Sequence, residues 1–466
     1  MIDEKEKPKD IDISMVDIFI LIIQDNKYMK EICNRTSKSF LPVINKPILF
    51  YQLEFLERKG IKKVKILIRE DDIETKRALY YYKGPIKFEF IQILKGKFGE
   101  FNTIKKNLDN KNFILIEGDS ILDFNLWELI DNHIDHNNIL SLVLQQKKIK
   151  KKDKKNKNES ESPNYLQKWK EKTIEMFGVD LENNNRVVYY KKLSMDDDKN
   201  ISINNELLNR CPKMNLLLKY MDIGFYIFND SIFDILENEK FKEKTSELNI
   251  ESIREDFIPF LIKNTFSRSL NFAIMDKYHN QLLKANKIKI CAKLIQNNDD
   301  INSEYVYKIY DYPSYLSIIE EIQKRYDNIK PIFFQTQNNT KNYFVNFKEK
   351  ILQNLENNKK YNDEIPELKL ISEDCYIADK VSSLSTSAEI KKTVTDQNLK
   401  VDENSKIIGC IIGLDTQIGK NCKLSNCIIG DNAVIADNSE ISESIIGDNY
   451  NFKNEENIPI SEQLLF

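Results

Sequence analysis

The sequence predicts an α/β fold: a mostly parallel sheet in the first part of the chain, followed by a parallel β-helix near its C-terminal end. Three observations carry this expectation. Continuous apolar runs alternate with amphipathic segments as far as residue 326. Aliphatic residues then recur with a locked 17-residue phase. Glycine is scarce and uneven: of 12 in 466 residues none precedes Gly60, while Gly409, Gly413, Gly419, Gly430 and Gly447 crowd into the end of the chain.

The first elements follow in order. Val16–Ile23 (VDIFILII) is a continuous apolar run, the pattern of a central parallel strand. Asn45-Lys46-Pro47 opens a helix with Pro in its first turn. Leu49, Leu53 and Leu56 give that helix one apolar face, and Gly60 ends it. Val64–Ile68 is the next strand, Asp71–Tyr82 is expected to be helical, Ile86–Leu94 extended, and Phe113–Ile116 a short buried strand ending at Gly118-Asp119. Strand and helix alternating at this spacing imply parallel βαβ units. Tyr220–Phe228 reads as a further strand with a helix from Ser231, and Ile288–Ile295 as a last one. Asn249–Asn264 is amphipathic but carries Pro259, so it should be kinked or broken. Pro313–Arg325 is a helix with Pro at its start.

The repeat is the strongest signal. Val401, Ile407, Ile412, Ile418, Leu424, Ile429, Ile435, Ile441 and Ile446 step by 6, 5, 6, 6, 5, 6, 6, 5. One coil is therefore 17 residues, and Cys410/Cys427/Ser444 and Gly413/Gly430/Gly447 share the phase. Thr395, Ile390 and Leu384 extend it backwards. A triangular β-helix explains this, each side pointing one aliphatic residue inward and small residues sitting at corners. Helices of this hexapeptide kind are left-handed, an exception to the usual crossover rule. The expected organisation is an N-terminal tail (1–15), an α/β domain (16–326), a polar connector (327–368) with one helical stretch around 344–355, a left-handed β-helix (369–450) and a C-terminal tail (451–466).

Composition excludes several classes. Lys plus Arg (70) nearly balances Asp plus Glu (73), against a general nucleic-acid binder. No apolar run reaches the ~18 residues of a membrane helix. The first residues lack a signal-peptide pattern, and seven dispersed Cys without CxxC read as reduced thiols, so a cytosolic location is expected. Residues 147–162 hold eight Lys and one Asp and are read as a solvated insertion. The sharper alternative is a phosphate- or RNA-binding patch, weakened by the lack of aromatics to stack bases.

The two parts together resemble the sugar-nucleotide pyrophosphorylase family. Ser37-Lys38-Ser39-Phe40-Leu41-Pro42-Val43 followed by Asn45-Lys46-Pro47-Ile48 is similar to that family's PK-x-LLPV-x-NKP segment. Gly118-Asp119 is similar to its metal-binding GD, at a strand end where ligands bind in open α/β sheets. The resemblance makes the sheet nucleotidyltransferase-like (Rossmann-like). Its catalytic parts are missing, however. The family's GxGxR loop, whose glycines let the backbone cradle a triphosphate, stands here as residues 24–31 (QDNKYMKE), without a glycine. The family's EKP stands as Lys191-Lys192-Leu193, and its NAGxY as Asp222-Ile223-Gly224-Phe225-Tyr226. An acyltransferase activity in the β-helix would need a His base, but the three His (His133, His136, His279) all lie outside the repeat.

An inactive pyrophosphorylase-like domain with a hexapeptide helix resembles the gamma and epsilon subunits of eukaryotic translation initiation factor 2B, a guanine-nucleotide exchange complex. The gamma type fits better, over FLPVINKPILFYQLEFLERKGIKKVKILI, CPKMNLLLKYMDIGFYIF, SIREDFIPFLI and the repeats. The epsilon type carries a further helical exchange domain, for which the chain leaves no length after the repeats. The resemblance implies a non-catalytic subunit without cofactor, partnered by the epsilon subunit, the other subunits of the complex and initiation factor 2, without membrane or direct nucleic-acid contact. A working sugar-phosphate nucleotidyltransferase, such as a mannose-1-phosphate guanylyltransferase, is the alternative. No catalytic residue and no metal site are expected. Lys38 and Asp119 mark a vestigial nucleotide pocket; their bland readings are a retained surface charge and a strand-end polar residue. Cys410, Cys422 and Cys427 are read as small packing residues rather than a metal cluster, and Trp127 and Trp169 as core or interface anchors.

Overall fold

A computed structural model describes residues 16–22, 37–43, 46–69, 84–94, 99–147, 173–194, 205–237, 252–266, 288–296 and 303–311, scattered residues of 72–82, 203 and 314–325, and most of 368–465. The expected N-terminal tail, the glycine-free stretch 24–31, residues 148–162 of the Lys-rich insertion, Trp169, His279 and the connector 327–367 lie outside the described residues.

β1 (Val16–Leu21) is apolar except for Asp17, as suits a central strand. It is followed by the small antiparallel pair β2 (Pro42–Val43) and β3 (Lys46–Pro47) and by helix α1 (Ile48–Arg58). Leu49, Leu53 and Leu56 of α1 are fully buried, and Gly60 takes φ +82° just after it, the left-handed conformation that stops a helix cheaply. β4 (Lys63–Ile68), β5 (Lys87–Gln92) and β6 (Asn112–Glu117) then run parallel with β1 in the order β6-β1-β4-β5. β7 (Ser120–Asp123) leaves the sheet after Gly118-Asp119, and β8 (Leu140–Gln146) rejoins it.

β9 (Thr173–Asp180), β10 (Arg186–Ser194) and β11 (Asn215–Leu217) form an antiparallel extension at the other edge. β12 (Tyr220–Asn229) inserts antiparallel between β6 and β8. β13 (Ile290–Ile295), expected as the last strand, lies inside the ten-stranded sheet, parallel to β8. A further strand, β14 (Tyr305–Lys308), pairs with β7 in a two-stranded ladder. Four residues are too few to show a period, so this pair was invisible in the sequence. Of the expected helix Asp71–Tyr82, Thr75, Lys76 and Leu79 are helical, with Asp72 accepting from the Thr75 amide. The Pro259 segment is broken as expected, a π-turn Ile253–Phe257 preceding the helix Ile258–Lys263.

Both sheet faces are covered. Phe19, Phe113, Leu115 and Phe228 pack on one side and Ile20, Ile66, Ile114 and Ile227 on the other, which is why the strands read as unbroken apolar runs. The one charge in β1, Asp17, is buried against Lys65 (2.8 Å) and accepts from the Asp109 and Asn110 amides (2.9 and 2.8 Å).

Beyond residue 368, three parallel sheets form the sides of the β-helix. They run through Thr395/Ile412/Ile429/Ile446, Val401/Ile418/Ile435 and Ile390/Ile407/Leu424/Ile441. All nine residues that define the 17-residue phase are buried in one core. The corners are not only small residues. Asn398, Asn404, Asp415, Asn421, Asn426, Asn432, Asn438 and Asn449 take φ between 53° and 60°, the left-handed region that Asn tolerates better than most residues. Asn404, Asn421 and Asn438 form a side-chain ladder, each donating to the next at 3.4 and 3.1 Å. The pairing continues beyond residue 450, where a tail is expected: Asn451-Phe452, Ile460-Ser461 and Leu464-Leu465 all pair with the preceding coil.

A second row shares the phase but faces outward. Val394, Ile428 and Ile445 are buried and Ile411 half-buried, in one cluster with Leu41, Val43, Ile48, Tyr305, Tyr307 and Ile319 of the α/β part. One side of the β-helix is thus an apolar stripe docked on the first domain, each fully buried aliphatic side chain contributing roughly 1.5–3 kcal/mol.

Two predictions follow from these rows. Ile418→Asp places an unpaired charge in the prism and should cost several kcal/mol, whereas Asn421→Gly, at a left-handed exposed corner, should cost about half a kcal/mol or less; equal melting shifts would refute the register. Ile428→Asp leaves the prism intact but disrupts the docked stripe. Calorimetry should then resolve two unfolding transitions where the native chain shows one, and a single transition would mean the stripe does not couple the domains.

Candidate functional site

The segments carrying the two residues singled out for the pocket meet at the carboxyl end of β6. Ser37 caps a short 3-10 turn (Lys38–Phe40), its Oγ accepting from the Ser39 amide at 3.2 Å. The turn presses on Gly118, where a Cβ would stand 2.5 Å from Ser39 Oγ. Glycine is therefore required there, and the two segments carrying the pyrophosphorylase-like motifs are clamped together. Lys38 is 7% exposed, so it is no surface charge. Asp119, 2% exposed, is likewise no ordinary strand-end polar residue.

Asp119 is already engaged. β14 runs antiparallel to β7 with Lys308 opposite Ser120. This delivers the Lys308 ammonium between two carboxylates: Nζ donates to Glu117 Oε2 at 2.5 Å and to Asp119 Oδ1. Burial pushes the Glu117 carboxyl up, but Lys308, Arg254 and Lys38 outweigh it and hold the carboxyl below its usual range. Across the sheet, Gly224 takes φ +76°, and a Cβ there would lie 2.2 Å from Glu117 Oε2. A glycine is needed again, this time to admit the carboxylate.

The Asp222 carboxylate, at the start of the NAGxY counterpart, turns inward. Its Oδ1 accepts from the Gly224 amide (2.9 Å) and its Oδ2 from the Tyr226 hydroxyl (2.7 Å). The Arg254 Nη2 donates to the Asp222 carbonyl (2.9 Å) and to Tyr310 Oη (3.1 Å), and the guanidinium lies within 4 Å of the Asp222 and Glu175 carboxylates. Lys192, within the EKP counterpart, pairs with Glu255 at 2.5 Å. Four carboxylates (Glu117, Asp119, Glu175, Asp222) thus gather around the paired cations Arg254 and Lys308, with Lys38 acting on Glu117 through its charge. Phosphoryl-transfer sites need the opposite, cations left open to receive phosphate charge. The divalent cation that the resemblance attaches to Asp119 does not fit: an ion on that carboxylate would meet the Lys308 ammonium already bound there.

Sequence reasoning found Lys38 and Asp119 but missed Glu117, Glu175, Arg254 and Lys308. A lone Lys among the aromatics of YVYKIY, and the Arg of the SIREDF segment, were the available signals. The other candidates are structural. His133 is buried, its pKa lowered by burial to about 3, and its Nδ1 lies 2.9 Å from Ser141 Oγ. The Cys427 thiol donates to the Ser425 carbonyl (3.2 Å) and Cys422 to Ala436 (3.1 Å) inside the prism. Among the described residues no group of three or more His, Cys, Asp or Glu is placed to hold a metal. Trp127 is half-buried against the core.

The inward Asp222 gives a pH signature. Burial, with Glu175 and Glu117 adding to it and Arg254 opposing, lifts its carboxyl from 3.8 to about 6. An acid whose folded pKa is raised contributes stability that is fully present below the unfolded value and is lost as pH rises through the folded one, here a loss of about 3 kcal/mol. The stability of the native chain relative to Asp222→Asn should fall by roughly that much between about pH 4 and 7 in urea titrations; parallel profiles would contradict the inward carboxyl.

With this geometry in hand, the relatives can be placed. A family model described as "GlmU-like, C-terminal hexapeptide" matches residues 365–458. The translation initiation factor eIF2B subunit gamma of Caenorhabditis elegans is 25% identical over 246 residues, 51% of this chain and 55% of its own length. That of Dictyostelium discoideum is 23% identical over 237 residues, 48% of this chain and 51% of its own. The D-glycero-alpha-D-manno-heptose 1-phosphate guanylyltransferase of Aneurinibacillus thermoaerophilus is 21% identical over 266 residues, 56% of this chain and 95% of its own. The chain spans about half the length of the gamma subunits it matches. No helix among the described residues is long and apolar enough to cross a membrane. The chain is thus similar to eIF2B gamma subunits along about half its length and carries a GlmU-like hexapeptide domain behind a nucleotidyltransferase-like sheet.

Proposed function

We propose that the chain is a non-catalytic, gamma-type subunit of an eIF2B complex in the cytosol, supporting GDP/GTP exchange on initiation factor 2 by pairing with an epsilon subunit. The observation that carries the non-catalytic reading is the Lys308 ammonium bound between Glu117 and Asp119. It occupies the strand end at which a nucleotidyltransferase would assemble metal and phosphates, and it bonds one oxygen of each carboxylate. The similarity to gamma subunits supports the choice of complex.

A guanylyltransferase reading rests on the relative matched over 95% of its length. The compensated pocket and the glycine-free stretch 24–31 oppose it, since a triphosphate needs close backbone approach and open cations. Within the proposed complex any rate gain comes from positioning two proteins rather than from side-chain chemistry.

The isolated protein should therefore make no sugar nucleotide from nucleoside triphosphate and sugar phosphate, and should release no appreciable labelled GDP from initiation factor 2. Mixed with an epsilon subunit it should form a stable complex that exchanges faster than epsilon alone. Pyrophosphate release by the chain on its own would establish the guanylyltransferase reading instead, and failure to bind epsilon would overturn the assignment to the complex.

A further inference from the structure

We propose that Lys308 is a tethered replacement for a divalent cation, and that Glu117 and Asp119 become a divalent-cation site once its ammonium is removed. The inference stands on the geometry of the strand end, whichever complex the chain joins.

The two carboxylates lie two residues apart, 7% and 2% exposed, and Lys308 is 4% exposed. Two buried carboxylates this close repel strongly unless a cation lies between them. The chain supplies that cation from 189 residues away, through the β7–β14 register that sets Lys308 opposite Ser120. The ammonium bonds an oxygen of each carboxylate, the arrangement in which a small hard ion is held by one or two carboxylates with water completing its shell. The pair is held in place by its surroundings: the Glu117 carboxylate fills the space beside Gly224, Ser39 packs against Gly118, and Gln52 Nε2 donates to the carbonyls of Glu117 and Ser120 at 2.8 Å each. With its amine truncated, the space vacated by Lys308 is therefore bounded by the two carboxylate oxygens. A tethered ammonium has no dissociation equilibrium, so in the native chain the two carboxylates keep a counter-ion whatever the metal concentration, in contrast with the metal-dependent pocket that the pyrophosphorylase resemblance implies.

The test compares the full-length native chain with Lys308→Ser, using Mn²⁺ as the probe, read by the electron paramagnetic resonance signal of free Mn²⁺ and by melting temperature. The native chain should leave the Mn²⁺ signal unchanged and melt identically in Mn²⁺ and in chelator. Lys308→Ser should melt lower in chelator, remove Mn²⁺ from solution stoichiometrically, and regain most of the lost melting temperature when Mn²⁺ is added, because a ligand that binds only the folded state stabilises it. Adding Asp119→Asn to Lys308→Ser should abolish both responses. Mn²⁺ uptake by the native chain that Asp119→Asn removes would overturn the proposal, and so would a folded Lys308→Ser that ignores Mn²⁺. A Lys308→Ser chain that stays unfolded with and without Mn²⁺ also counts against it, since the ion then cannot take the place of the ammonium.

Discussion

Burying Glu117 and Asp119 at one strand end requires a positive charge between them, because two carboxylates without a counter-ion would unbalance the fold by several kcal/mol. Lys308 meets that requirement, and much of the first domain is arranged around its delivery. β7 leaves the main sheet directly after Asp119 so that β14 can pair with it. Gly224 makes room for the Glu117 carboxylate, and Gly118 for the Ser39 side chain. Arg254, bonded to the Asp222 carbonyl and Tyr310, lies within 4 Å of the two remaining acids, Glu175 and Asp222.

The same strand joins the two halves of the molecule. Tyr305 and Tyr307 alternate with Val306 and Lys308 along β14, so their rings leave the pocket side and enter the cluster that receives the β-helix. On the β-helix the matching surface is Val394, Ile411, Ile428 and Ile445, one residue before each inward Thr395, Ile412, Ile429 and Ile446. In a two-residue strand neighbouring side chains point to opposite faces, so a single pair of aliphatics serves both the prism core and the domain interface. A polar residue at the first position, such as Gln417 or Lys423 on the other two sides, leaves those sides in water.

How much of this was legible in the sequence depends on the range of the interactions. The inward aliphatic positions, the parallel strands and the Pro259 break are local or periodic, and each was readable from a short window. The docked stripe was present as Val394/Ile411/Ile428/Ile445 at the same 17-residue spacing, but only the inward row is needed to identify the repeat, so its neighbour passed unread. The asparagine corners were visible as composition yet carry a conformational reason, positive φ, that small-residue reasoning did not supply. The pocket was half legible. Lys38 and Asp119 stand in motifs, whereas Lys308 lies in a four-residue strand far along the chain, and nothing local distinguishes a lysine that bridges buried carboxylates from one that faces water. Burial decided both misread residues, since a charge judged superficial becomes a structural element once its solvent is removed.

Such compensation bears on how a reaction pocket can lose its chemistry without losing its fold. A catalytic site keeps charges under-compensated, so that the transition state completes them, and the protein is less stable for it. On the non-catalytic reading proposed above, a tethered counter-ion that fills such a pocket stabilises the strand end and closes it to metal and phosphate together. Lys308 bonds both carboxylates while Tyr305 and Tyr307 of the same strand pack in the cluster that receives the β-helix, so one short strand serves both the pocket and the inter-domain joint. A pocket filled in this way keeps the sheet, the glycines and the motif turn that sequence comparison detects, while its acids face cations of the same chain.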